Sequence, residues 1–210
     1  MFITIEGIEG AGKSTAANFM HQILSDKKIP HIITREPGGT AIAESIRQIL
    51  LHKKSVEPMC SDAELLLMFA SRAQHLAERI IPALNRGSWV ICDRFTDATY
   101  AYQGAGRRID FERISKLEEL VQGDLRPDYT LLLDIPAEVS IKRIQSRRSA
   151  MDLKIDRMEQ ENIDFFERVR QAYLDRARLY RNRFIIIDAT RPYEMAEKIT
   201  LMFLCLEKSL

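Results

Sequence analysis

The sequence predicts an α/β fold in which a five-stranded parallel sheet lies between two layers of helices. Two observations predict it. Five short apolar runs alternate with longer stretches of helical periodicity, the pattern of consecutive strand–helix–strand units. Such units require parallel strands covered on both faces, joined by right-handed crossovers. In addition, the breaks "IPHIITREPGGT" and "GDLRPDY" are short punctuation, and no internal repeat or low-complexity tract interrupts the alternation.

In chain order, "MFITIE" is the first strand and a helix follows from about Ser14. "HIITRE" is the second, ahead of a helix from about Thr40; "WVICD" is the third, followed by helices to about Gly123. "YTLLLDI" leads into another helix, and "RFIIIDA" closes the sheet. With 210 residues, 46% of them apolar, the chain suffices for one well-packed domain, 1–210, and is short for two.

Composition excludes several classes. Thirty-one basic against thirty acidic residues leave a formal charge of +1, which is not the footprint of a protein that grips long nucleic acid. No apolar run approaches the roughly 20 residues of a membrane span. The start "MFITIE" carries no basic leader, so no secretory signal is expected. Cys60, Cys92 and Cys205 are odd in number and far apart, which fits reduced thiols in a cytoplasm better than a disulfide or zinc framework.

Gly7-Ile8-Glu9-Gly10-Ala11-Gly12-Lys13-Ser14, continued by Thr15, matches the phosphate-loop pattern G-x-x-x-x-G-K-[ST] at every fixed position, between a strand and a helix. Glycines let the backbone turn its N–H groups around phosphate oxygens, the following helix adds its dipole, and the Lys13 ammonium reaches the terminal phosphates. Ser14 is then a magnesium ligand. The segment predicts nucleotide binding and is silent on chemistry, since phosphate loops also serve switches and motors. An Asn-Lys-x-Asp base-reading motif and a Leu-Ser-Gly-Gly-Gln signature are both missing from the sequence, which weakens the readings as GTP switch and transport ATPase. "WVICDRF" sets Asp93 and Arg94 just beyond a buried strand. There the acid can hold magnesium through water and the arginine can grip a second phosphate, or the two can simply pair.

Five blocks in order, "EGIEGAGKST", "TREPGGT", "ELLLMFASRAQH", "DRFTDATYAYQGAGR" and "DRMEQENIDFFERVRQAY", make the chain similar to the bacterial thymidylate kinase family. The resemblance implies a phosphate-loop NTPase fold, ATP as phosphoryl donor, Mg2+, dTMP as acceptor and a homodimer. It gives Glu9 the acceptor's 3'-hydroxyl and gives Arg94 and Arg35, with Pro37 beside them, the acceptor phosphate. A sister subgroup carries an arginine where Gly10 stands here, so the missing charge is expected from a short lid at about 143–157. Arg147 and Arg148 are its transition-state candidates, with Arg143 the rival.

On "LLLMFASRAQH", Phe69 and Arg72 lie three apart on one helix face, able to stack on a pyrimidine and donate to its carbonyl. Many family members place the aromatic four before the arginine, where Met68 stands, so either Phe69 stacks or its ring packs in the core. Thr99, Tyr102 and Gln103 resemble residues that touch the base edge and wall off the 2' side of the sugar; Tyr100 and Tyr102 also suit buried anchors. Asp188 falls near the expected donor adenine or caps the next segment. The four histidines show no ligand spacing and receive no role. The competing readings are another small-molecule or nucleoside monophosphate kinase, of UMP or CMP type, and a nucleotide-dependent switch or binding module.

Overall fold

A computed structural model describes residues 1–51, 57–151, 157–159 and 161–207. Five parallel strands form its centre: β1 (Phe2–Glu6), β2 (His31–Arg35), β3 (Trp89–Asp93), β4 (Tyr129–Asp134) and β5 (Phe184–Asp188). Their order is β2-β3-β1-β4-β5. All five stand where the apolar runs place them. Every residue of β1 is buried, whereas the edge strand β2 is only partly covered, because β1 has a hydrogen-bonded neighbour on each side and helices on both faces.

Helices α1 (Lys13–Asp26), α2 (Ala41–Leu51) and α3 (Ser61–His75) follow; α3 continues through a wider π-helical turn, Leu76–Ile80, into α4 (Ile81–Asn85). After β3, α5 (Thr96–Thr99) runs into a second π-helical stretch, Tyr100–Gly106, and then come α6 (Phe111–Gln122), α7 (Ala137–Met151), α8 (Ile163–Leu179) and α9 (Pro192–Glu207). Side-chain caps start several of these helices, among them Thr40 before α2 and Cys60 before α3. Asp110 accepts from Glu112 N at 2.9 Å, and Asn162 accepts from Phe165 N at 2.9 Å. Helix α1 has Gly12 at that position and no side-chain cap, so its first amides remain available to something else.

Ile3, Ile5 and Leu133 pack with Met20 and Leu24 of α1 in a core cluster that also takes in Phe166 and Tyr173 of α8. A second cluster joins Phe2, Val90 and Phe95 to Leu76 and Ile80. Each such side chain stabilises the fold by about 1.5–3 kcal/mol through burial. Among the described residues, no helix is long and apolar enough to cross a membrane. The chain leaves β1 for β2 at one edge, returns to β3, and then crosses to β4 on the other side of β1. This reversal opens a crevice beyond the carboxyl ends of the strands, where the loops after β1, β2 and β3 converge.

Candidate active site

One cleft of about 520 Å3 lies at that reversal. Its floor is the loop after β1. Gly7, Gly10 and Gly12 hold φ of 136°, 74° and 96°, values that L side chains rarely adopt. At Gly7 space is also limiting, since a Cβ would sit 2.4 Å from the Leu133 carbonyl oxygen. Gly12 ends the loop in the left-handed region, and the first amide bonded within the helix is that of Ala16, to Gly12 O at 3.0 Å. The preceding amides of α1 therefore form an uncapped, electropositive helix start facing the cleft, a ready anion site. Ile8 and Ala11 are buried and anchor the loop to the core.

Lys13 Nζ donates to the carbonyls of Gly7 and Ile8 at 3.1 and 3.0 Å. Burial lowers its pKa to about 8, with Arg94 pushing the same way and Asp93, Glu9 and Glu6 opposing. Ser14, Thr15 and Asp93 line the same cleft, and Asp93 Oδ1 is buried without a hydrogen-bond partner. No group of three or more His, Cys, Asp or Glu side chains among the described residues is disposed to hold a metal. The hydroxyl of Ser14 with the carboxylate of Asp93 nevertheless suits Mg2+, which takes one or two protein oxygens and completes its shell with phosphate and water.

Arg94 occupies a φ of 67°, a strained conformation for a non-glycine residue that must be held by its surroundings. Its guanidinium donates to Gly7 O, Tyr173 Oη, Glu9 Oε1 and Tyr102 Oη at 2.9–3.2 Å and lies 4.7 Å over the Tyr102 ring. Burial works against its charge, yet Tyr102, Glu9, Tyr173 and Asp93 together hold its pKa above the ordinary arginine value. Tyr102 Oη also donates to Glu9 Oε2 at 2.6 Å. Behind them, fully buried Glu6 accepts from Phe95 N and Tyr173 Oη. Burial raises Glu6 to about 8, and the Asp97 carboxylate adds to the shift.

The far end of the cleft is built from side chains brought together from distant segments. Arg72 Nε donates to Glu36 Oε2 at 2.7 Å and its Nη2 to Thr99 Oγ1 at 2.9 Å, while Nη1 is buried and unpartnered. Glu36 Oε1 pairs with Nδ1 of His75, whose Nε2 contacts Thr34 Oγ1 at 2.6 Å. His75 is fully buried, so the histidine left without a role holds the carboxylate that holds Arg72. Gly39 makes room for it, since a Cβ there would lie 2.5 Å from His75 Nε2. Gln103 donates from Nε2 to buried Glu64 at 2.6 Å and leaves Oε1 unpartnered. Pro37 also lines this end, as does Arg47, which donates to Pro37 O at 2.8 Å. Glu6, Glu36, Arg47, Glu64, His75 and Tyr173 escaped the sequence reading; only "REP" and the helical register around Arg72 carried any signal for them.

Two expectations are corrected. Phe69 does not face the cleft: it is 2% exposed, packs with Leu65, Tyr100 and Ile114, and lies under the Arg72 guanidinium at 4.8 Å. Met68, one residue earlier and so about 100° around the helix, lines the cleft instead. Arg35 also turns away. It follows buried Thr34 on a strand whose side chains alternate, so it reaches α2, donates to both Glu44 oxygens at 3.0 and 3.1 Å, and lines a smaller adjoining pocket that shares Ser14 and Asp93 with the cleft. Arg143 lines the cleft, where it staples the Gly10 and Ala189 carbonyls at 3.1 and 3.0 Å. It approaches Gly10 so closely that a Cβ there would meet Arg143 Cβ at 3.2 Å, so α7 occupies the space an arginine at that loop position would need. Residues 147 and 148 lie on α7, but their side chains, like residues 152–156, fall outside those described. Asp188 caps its own turn, accepting from Thr190 N and Oγ1.

An uncapped helix start behind a glycine loop, at the reversal point of an all-parallel sheet and beside an arginine-lined cleft, defines a phosphate-loop nucleotide-binding protein. The family is given by comparison: the thymidylate kinase family model matches residues 5–199, and the chain belongs to that family. It is 54% identical over 198 residues to the thymidylate kinase of Pseudomonas putida (strain W619), covering 94% of this chain and 93% of the relative. With the thymidylate kinase of Chromohalobacter salexigens it shares 54% identity over 196 residues, 93% and 91% of the two chains. The crystal structure of thymidylate kinase from Ehrlichia chaffeensis superposes with a TM-score of 0.75 at 33% identity, over 96% of this chain and 98% of that one.

Proposed function

We propose that the chain transfers the γ-phosphoryl group of ATP to dTMP, forming dTDP, by direct in-line displacement. The observation that supports this most is the cleft itself, which joins a phosphate loop to three buried, unpartnered polar atoms on Asp93, Arg72 and Gln103. Each such atom costs about 1–3 kcal/mol when left unsatisfied, and a nucleotide acceptor would supply partners.

In this reading the loop from Gly7 to Thr15 and the Lys13 ammonium take the donor phosphates. Ser14 and Asp93 would hold Mg2+, which supplies charge neutralisation at those phosphates. Arg94, fixed by four acceptors, presents the acceptor phosphate, and Glu9 accepts from the sugar 3'-hydroxyl while Tyr102 crowds the 2' side. Met68 covers the pyrimidine, with Arg72, Thr99 and Gln103 at its edge. Arg147 and Arg148 of α7 remain the candidates for charge on the transferring group. No protein nucleophile is needed, because the acceptor phosphate is already an anion and phosphoryl transfer rests on positioning and electrostatics. The homodimer implied by the resemblance suits Ile42, Ile49 and Leu66, which are exposed on α2 and α3, and sedimentation tests it. A cytoplasmic site of action goes with the same reading.

A coupled assay of ADP release with dTMP, dUMP, UMP, CMP and no acceptor tests the assignment. Release that depends on dTMP is expected; equal release without an acceptor would overturn it.

A further inference from the structure

Glu64 contacts nothing in the phosphate loop, yet it is 1% exposed and accepts from three side chains. These are Gln103 Nε2 at 2.6 Å, Arg157 Nη2 at 2.6 Å and Arg107 Nε at 3.2 Å. Two guanidinium groups and one amide thus converge on a single carboxylate at the rim of the cleft. The amide is the informative partner. A glutamine side chain carries an acceptor at one terminus and two donors at the other, and the two ends are nearly the same size. What decides which end faces a ligand is the group holding the opposite end. A carboxylate that already takes Arg107 and Arg157 offers only acceptor oxygens, so Gln103 must give it the NH2 and keep the carbonyl oxygen for the cleft. That oxygen is the buried atom without a partner.

We infer that Glu64 is a positioning residue that sets which pyrimidine the cleft accepts, by committing Gln103 to present a hydrogen-bond acceptor. The inference rests on the kinase reading above. With Arg72 Nη1 as the available donor, the base edge that complements the pair has a carbonyl beside a ring N–H, as thymine and uracil do. Cytosine presents the reverse, an exocyclic NH2 beside an unprotonated ring nitrogen. Its NH2 would then face the Arg72 guanidinium, and its ring nitrogen would face the Gln103 oxygen. A buried site rejects such a mismatch strongly because its polar groups are left unpaired. The π-helical stretch Tyr100–Gly106 sets Gln103 on the cleft, where it is 1% exposed and its side chain is held at one end by Glu64.

The test compares kcat/KM and calorimetric dissociation constants for dTMP and dCMP in the intact enzyme. In Glu64→Gln the partner can present either end of its own amide, so Gln103 can turn over. The preference for dTMP over dCMP should then fall about 10- to 100-fold. Gln103→Met, which keeps Glu64 with both arginines, should lower the preference to a similar degree and serves if Glu64→Gln fails to fold. The exchange Glu64→Gln with Gln103→Glu restores an acceptor at the cleft held by an amide donor, and should recover the preference. Arg157→Lys is expected to leave the ratio unchanged whatever it does to the rate. A Glu64→Gln enzyme that loses both substrates in proportion would overturn the inference and leave Glu64 a structural hub. So would an Arg157→Lys enzyme that loses the preference equally. A wild-type enzyme that does not phosphorylate dTMP would instead refute the kinase reading.

Discussion

The two ends of the cleft are built by different means. At the phosphate end, nine consecutive residues, Gly7 to Thr15, make the site mostly from backbone, through positive φ at three glycines and an uncapped helix start. At the base end, Glu36 comes from the loop after β2, Arg72 and His75 from α3, and Thr99 and Gln103 from the stretch after β3; Glu36, Arg72, His75 and Thr99 are joined by hydrogen bonds and Gln103 is held by Glu64. The first is shaped within one short run of the chain. The second is a relay in which one lost partner strands the next, because buried polar groups are costly when unsatisfied.

The sharpest break between the ends is Lys13→Ala. It should lower transfer at least 10³-fold by removing charge at the phosphates, with an unchanged circular dichroism spectrum, since the loop is shaped by its glycines. Activity above a few per cent of wild type would mean that the cradle does not depend on the lysine. Next in size is Phe69→Ala at the base end, expected to cost about 3–5 kcal/mol of unfolding free energy as a core truncation. Met68→Ala should instead raise the dTMP KM several-fold with little change in melting temperature. If these two signatures were exchanged, the helix register described for the cleft would be wrong.

Arg72→Lys keeps the charge but loses the planar fork that reaches Glu36 and Thr99 together. We expect kcat/KM for dTMP to fall by about 30- to 100-fold, or about 2–3 kcal/mol, while the KM for ATP stays within about twofold. An equal loss for both substrates would show that the two ends are not separable.

The smallest effect concerns Glu6, behind the loop. Its folded pKa is raised from 4.5 to about 8, so between those values the native state keeps a proton that the unfolded chain has released. Its contribution is fully present below the lower value and is lost as pH rises through the upper one. Glu6→Gln, which stays neutral, should therefore gain stability relative to wild type across that window, by on the order of 2 kcal/mol above pH 8. Thermal melts that differ by a constant amount from about pH 5 to pH 9 would refute the shift.

Legibility in the sequence follows the same division. The five strands and the phosphate loop could be read because each depends on neighbouring residues: apolar runs for the strands, glycine spacing followed by lysine and serine for the loop. Gly7 and Lys13 needed no partner far away in the chain. Phe69 and Arg35 were misplaced because helix register and strand alternation decide which side chain meets the cleft, and a single position turns a residue from site to core or to the sheet edge. His75 and Glu64 left no local trace, since their roles exist only through Glu36 and Gln103, at separations of 39 residues in each case.

By itself, then, the sequence determined the sheet, the loop that cradles phosphate and the resemblance to a family of kinases. Those properties follow from patterns within one turn or one strand. Only the tertiary structure decided which groups face the cleft and which end of its amide Gln103 presents there. Those choices are made by hydrogen bonds between segments that meet only when the sheet assembles.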